Sequence, residues 1–207
     1  MKVEVTAATE RPMEVISKAA GMCYGKSDYS PKRVKSCYQS GHMSVFEHAS
    51  ITFEVDGISR ACSHQLVRHR LASFSQRSHR YCKVDVDSDD WYVMPEWFKA
   101  VDDPNGENSN YGKVAFECAM QRSANMYKLA IEHGCKPEDA RYLLPEATKT
   151  AITVTMNVRE LFHFLDTRQD RRAQWEIREL AEEMERQAGD FNSQWDELMA
   201  IREEARE

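Results

Sequence analysis

Polar and apolar residues alternate from the first positions of the chain. In KVEVTAAT, Val3, Val5 and Ala7 interleave with Glu4 and Thr6, a period of two that predicts a strand. The period changes at Pro12, which suits the first helical position, and Val15, Ile16 and Ala19 then recur at helical spacing. Ser30-Pro31 predicts a second helix, closed by Gly41, which tolerates the left-handed backbone of a helix end. His42 to His48 reads as a loop or short turn. Alternation returns in SITFEVDGI, Ser50 to Ile58, as a second strand. A helix is expected from Ser59 to about His69, with Gln65 and Arg68 three residues apart on one face, then a loop through Ser78. Asp85 to Asp90 reads as a polar turn, and Asp102 to Asn110, rich in proline, glycine and asparagine, as a loop. Tyr111 to His133 and a shorter stretch after Pro137 are expected helices, and the β-branched run Thr148 to Asn157 a third strand. Ile177, Leu180, Met184, Ala188, Phe191, Trp195 and Leu198 recur at three- and four-residue steps, which predicts a helical end.

Few strands among many helices, with no repeats and no linker, imply an α/β (α+β) fold, and 207 residues suit a single domain over 1–207. A 42% hydrophobic and 30% charged composition is ordinary for a globular chain, and no apolar run reaches membrane-spanning length. MKVEVTAATERP lacks the apolar core of a signal peptide. The six cysteines form no CxxC pair, so reduced thiols in a cytoplasm are expected rather than a disulfide framework or zinc site.

Charge then singles out one stretch. Arg60 to Tyr81 carries five arginines and three histidines with no Asp or Glu, inside a chain of net charge -6. Clustered guanidinium groups repel unless an anion sits among them. A solvated basic face is the bland explanation, but such faces mix signs, whereas this stretch interleaves Gln65, Ser73, Ser75, Gln76 and Ser78, which suit a polar ligand. Nucleic-acid binding is a second reading, with Phe74 and Tyr81 for stacking; the acidity of the remainder opposes it. A pocket for a small phosphorylated molecule is the third, held by arginine forks in a chain without a glycine-rich phosphate loop.

A second constellation is NVRELFHFLDTRQDRR, Asn157 to Arg172. As a helix it would align Leu161, Phe164 and Leu165 in an apolar stripe with Arg168 and Arg172 along it, and Arg159, His163, Asp166 and Asp170 opposite. An arginine on a core-facing stripe needs an anion or acceptor, from a ligand, an ion pair or a subunit interface. The third constellation, Gly41 through His48, is weak by itself. The chain lacks HExxH, GxSxG, an EF-hand loop and GxGxxG, and no cysteine adjoins a plausible base in sequence, so chemistry here needs a cofactor.

Arg68-His69-Arg70, seven residues, then Ser78 resembles the RHR-x7-S signature of the flavin-dependent thymidylate synthases. The resemblance extends to Gln65-Leu66-Val67, Arg80-Tyr81, the GHxSxFEH-like segment Gly41 to His48, Arg141, Leu144-Pro145, Asn157-Val158-Arg159, Leu165 to Arg168 and Ala173 to Ile177. It covers about residues 12 to 190. It implies a small mixed or antiparallel sheet flanked by helices, assembled as a homotetramer with FAD and dUMP at subunit interfaces. Methylenetetrahydrofolate would be the carbon donor and NADPH the reductant, with no metal, membrane or nucleic-acid partner. By position, Gln65, Arg68, Ser78, Arg80, Arg141 and Arg168 would hold dUMP, with backbone at Leu66, Val67, Gln76, Arg77 and His79. His42, Ser44, Glu47, Arg68, His69, Arg70, Leu71, Gln76, Asn157, Arg159, His163 and Thr167 would line FAD, near Cys23. Arg168 would be catalytic, its charge stabilising electron density that develops on the uracil ring. The chain departs from common members at Ser75-Gln76, usually Asn-Glu, and at Cys23, His163 and Arg172, often Ser, Asn and His.

Overall fold

The computed structural model describes residues 1–100 and 111–205. The loop expected at Asp102 to Asn110 lies outside the described residues. In chain order the elements are β1 (Lys2–Ala8), α1 (Pro12–Met22), α2 (Pro31–Gln39), a 3-10 turn (Met43–His48), β2 (Ser50–Ser59), α3 (Arg60–Leu66), β3 (Ala72–Gln76) and α4 (Glu96–Ala100). They continue as α5 (Tyr111–Glu132), α6 (Pro137–Ala140), a 3-10 turn (Arg141–Leu143), β4 (Lys149–Asn157), α7 (Val158–Arg168), α8 (Trp175–Phe191) and α9 (Ser193–Glu204).

Contacts divide these elements into two compact units. One comprises Met1–Asp56, His64–Ser75 and Ile152–Glu207; the other comprises Gly57–Ser63 and Gln76–Ala151. The first unit is built on a sheet ordered β1-β2-β4-β3, with β1 and β2 antiparallel and an irregular register between Val5 and Ala7. The predicted alternation is what lets the sheet bury one face: Ile51, Phe53 and Val55 of β2 and Ile152, Val154 and Met156 of β4 are buried, while Glu54 points to solvent. Met13 and Ile16 of α1, Leu161, Phe164 and Leu165 of α7, and Leu180 and Met184 of α8 join that core. Asn157 starts α7 by accepting a hydrogen bond on Oδ1 from the Glu160 amide at 2.9 Å. Gly41 closes the turn after α2 with φ of 72°, as its position predicts.

The second unit has its own apolar cluster of Val86, Trp91, Met120, Ala124, Tyr127 and Ala140, in which α5 packs by one face. Tyr127 also donates no side-chain apolarity at its tip: its hydroxyl accepts from the Val84 amide at 3.1 Å.

Four expectations need correction. The helix predicted to reach His69 ends at Leu66, so Gln65 and Arg68 do not share a helix face; the Arg68 and His69 amides close a turn on Gln65 and Leu66 carbonyls. The loop expected up to Ser78 contains β3, in which Ala72, Phe74 and Gln76 are half-buried and Ser73 and Ser75 exposed. The helix begun at Val158 stops at Arg168, so Arg172 leaves the apolar stripe and pairs with Asp170 at 2.9 Å in solvent. The helical end is interrupted at Asn192, whose extended backbone and side chain cap α9, leaving Phe191 exposed.

Candidate active site

In the first unit, the turn after α3 and the cavity-facing side of α7 line a cavity of about 820 Å³. Arg68, His69, Arg70 and Leu71 come from the turn, and Arg159, His163, Thr167 and Arg168 from α7. Residues far apart in sequence thus share one wall. Among the cofactor-binding residues expected from sequence, seven line this cavity; Glu47 reaches its edge by pairing with Arg159 at 2.5 Å. Cys23, His42 and Ser44 are exposed at a helix end or turn and are not among the lining residues, and Asn157 serves as a helix cap.

The buried centre of this wall is a relay of three side chains. Arg168 Nε donates to His69 Nε2 at 3.0 Å, and His69 Nδ1 lies 3.0 Å from Glu160 Oε1. Arginine has no acceptor, so Nε2 carries the lone pair and Nδ1 the proton, which it donates to the Glu160 carboxylate. His69 is therefore neutral. Burial pushes its pKa below the ordinary imidazole value, the Glu160 hydrogen bond works against that, and the Arg168 charge adds to the lowering. Arg168 also donates from Nη2 to the Gln65 carbonyl at 3.0 Å. That carbonyl belongs to the last turn of α3, where main-chain oxygens lack helical partners and attract cations. The short α3 and the position of Arg168 thus have one cause in common.

The donor atoms of His69, Glu160 and His163 lie within 4.8 Å of one another. Both His69 nitrogens are already engaged and a guanidinium adjoins them, so this set suits an anionic ligand better than a metal cation. Sequence reasoning missed Glu160, Tyr38 and Met43, all of which line the cavity. Glu160 had a local signal, an Asn followed three residues later by Glu at a helix start. Its side chain, however, turns to His69 rather than back to the cap.

Gln65 lies in the first unit as the carbonyl partner of Arg168; the Leu66 side chain is fully buried and Val67 exposed. The other predicted nucleotide-binding residues lie in the second unit. Arg80 Nε pairs with Glu138 Oε2 at 3.0 Å, and Arg141 Nε donates to the Glu138 carbonyl at 3.0 Å. Ser78 Oγ accepts from the Arg80 amide at 3.2 Å. Gln76 Nε2 donates to Ser63 Oγ at 2.8 Å and Thr150 Oγ1 at 3.3 Å. Arg77 and His79 line a separate cavity of about 440 Å³. His79 is buried, and that burial, with Arg60, Arg141 and Arg77 nearby, lowers its pKa to about 4. A neutral imidazole amid arginines is a place where the second unit tolerates, and would gain from, an added anion.

A half-buried arginine held by a neutral histidine thus lies at a cavity walled by further arginines, an arrangement suited to anionic ligands. Residues 4–191 match the model of a family described as thymidylate synthase complementing protein. The chain is 42% identical over 195 residues to a flavin-dependent thymidylate synthase of Geobacter sulfurreducens, covering 89% of this chain and 80% of that one. It is 40% identical to the same-named protein of Pyrococcus furiosus, at 89% and 77% coverage. Among solved structures it resembles the Helicobacter pylori flavin-dependent thymidylate synthase ThyX complexed with FAD and dUMP, with a TM-score of 0.71, 25% identity and 90% and 93% coverage. It also resembles the UMP/dUMP methylase PolB of Streptomyces cacaoi bound with 5-Br dUMP, with a TM-score of 0.76, 26% identity and 99% and 93% coverage. The chain belongs to the flavin-dependent thymidylate synthase family.

Proposed function

We infer that this chain is a flavin-dependent thymidylate synthase that methylates dUMP reductively to dTMP. The observation that carries the reading is Arg168, held by His69 and Gln65 at a cavity large enough for a bulky phosphorylated cofactor. FAD fits these residues: Arg68 and Arg70 supply cations for its pyrophosphate, and His69, Leu71, His163 and Thr167 supply the mixed polar and apolar wall that a ring system needs. Arg159 and Glu47 close one edge, with Cys23, His42, Ser44 and Asn157 on the elements behind. Reduced FAD supplies the hydride. The protein's part is to bind, orient and stabilise charge.

For dUMP we assign Arg168 to the pyrimidine edge, where its planar fork stays cationic as electron density builds on the ring. Gln65, Leu66, Val67 and Arg68 border the base. The segment Gln76, Arg77, Ser78, His79 and Arg80, with Arg141, is assigned to the phosphate of a dUMP whose base is met by Arg168 of a neighbouring subunit; Arg80 and Arg141 would exchange Glu138 for that dianion. Methylenetetrahydrofolate is the proposed carbon donor and NADPH the reductant, in a cytoplasmic homotetramer whose sites lie at subunit interfaces. No helix among the described residues is long and apolar enough to cross a membrane.

The test is the absorbance spectrum of the purified protein, before and after FAD is added, followed by tritium release from [5-³H]dUMP with NADPH and methylenetetrahydrofolate. Flavin bands and tritium release are expected. A protein that takes up no flavin and releases no tritium contradicts the reading. Salt-sensitive binding to long RNA that dUMP does not displace would favour an arginine-rich nucleic-acid module instead.

A further inference from the structure

One charged group of the first unit lies wholly inside the protein and is absent from every motif of the sequence. Arg202 of α9 is 0% exposed, in a helix that otherwise buries Trp195, Leu198, Met199 and Ile201. Its Nε donates to Asp166 Oδ1 at 2.9 Å, its Nη2 to Gln169 Oε1 at 2.8 Å, and its Nη1 to the Glu185 carboxylate. Gln169 Nε2 closes the set by donating to Glu185 Oε2 at 2.6 Å. Asp166 and Gln169 flank Arg168 at the end of α7, and Glu185 belongs to α8. The network therefore ties the last turn of α7 to both of the helices that follow it.

We propose that Arg202 is a positioning residue for Arg168, fixing both where the α7 terminus sits and which anions the Arg168 guanidinium can reach. The proposal rests on the assignment of Arg168 to the reaction. Packing alone does not call for an arginine here: each ion of a buried network loses its hydration, and apolar side chains of similar volume often stabilise as well or better. What apolar packing cannot do is neutralise Asp166. That carboxylate lines the cavity two residues before Arg168, so once unpaired it leaves an uncompensated negative charge at the α7 terminus that works against the field of Arg168. The last turn of α9 borders the same cavity through Ala205.

Arg202→Met removes the charge at similar length, and Arg202→Lys keeps the charge but loses the fork that serves three acceptors. Steady-state turnover of dUMP by the full chain with its cofactors reads the effect. For Arg202→Met we expect kcat to fall by about tenfold or more with KM for dUMP within about twofold, the pattern of an interaction realised in the transition state. Arg202→Lys should fall between it and the wild type. Within an Arg168→Lys background the same Arg202→Met change should cost under about twofold, because coupled residues are not additive. Ile201→Val, a buried neighbour outside the network, should lower the melting temperature without the kcat loss. The proposal is overturned if Arg202→Met and Arg202→Lys melt earlier but keep wild-type kcat, or if Arg202→Met costs the same factor in both backgrounds. Should Arg202→Met not fold, Arg202→Lys alone decides by the same two readouts. An Arg168→Lys enzyme of wild-type rate would instead overturn the assignment of Arg168 itself.

Discussion

Arg168 keeps its charge while half of it is withdrawn from water, and two of the acceptors that hold it, an imidazole and a helix-end carbonyl, are neutral and so preserve the guanidinium's positive field. Arg168→Ala should therefore lower turnover by about 10²-fold or more while the protein stays folded, measured as kcat for dTMP formation. Glu160→Gln, which removes the carboxylate that orients His69, should weaken flavin binding and lower stability by about 1 to 3 kcal/mol, read by flavin titration and denaturant unfolding. His79 gives a pH signature. Its folded pKa, about 4, lies below the ordinary value of 6.5, so the unfolded chain binds a proton first as pH falls. Its neutral burial supports stability above about pH 6.5 and loses that support as pH drops towards 4, by an upper limit of about 3 kcal/mol. His79→Gln should flatten unfolding free energy across that window; an unchanged slope would contradict it. At this scale the sequence was informative about arginines, because an acid-free window in an acidic chain is visible without a fold. It was silent on Arg202 and gave Glu160 only a helix-cap signal, because their partners lie 36 and 91 residues away.

Elements were legible where local rules act alone. Pro12 and Ser30-Pro31 start helices, Gly41 ends a turn, and alternating β2 and β4 bury one face, all as their local patterns predict. The departures come where distant residues decide. α3 stops at Leu66 because its final turn is completed by Arg168 from another helix, and β3 forms from serine-rich sequence because a neighbouring strand supplies its hydrogen bonds. Asn192 did carry a local signal, a capping residue before a polar turn, hidden by hydrophobic spacing that continues across it. Asn192→Ala should cost about 1 kcal/mol of stability through the lost cap and leave kcat unchanged. Equal stability in denaturant unfolding would show that the interruption does not depend on the cap.

For the whole molecule, the separation of charge is the organising fact: a chain of net charge -6 concentrates guanidinium groups, without an acid among them, on one short segment. The resemblance to flavin-dependent thymidylate synthases gives that concentration its purpose, and the proposed homotetramer gives it a setting. Light scattering on the cofactor-loaded protein should report four copies of the 24.0 kDa chain; a monomer active at the same concentration would contradict interface sites. The most direct test of the central claim is dTMP formation from dUMP by the purified protein, followed while FAD, NADPH and methylenetetrahydrofolate are each left out in turn. The account predicts dTMP in the complete mixture and none from flavin-stripped protein without added FAD. No dTMP in the complete mixture, or undiminished dTMP without flavin, would contradict it.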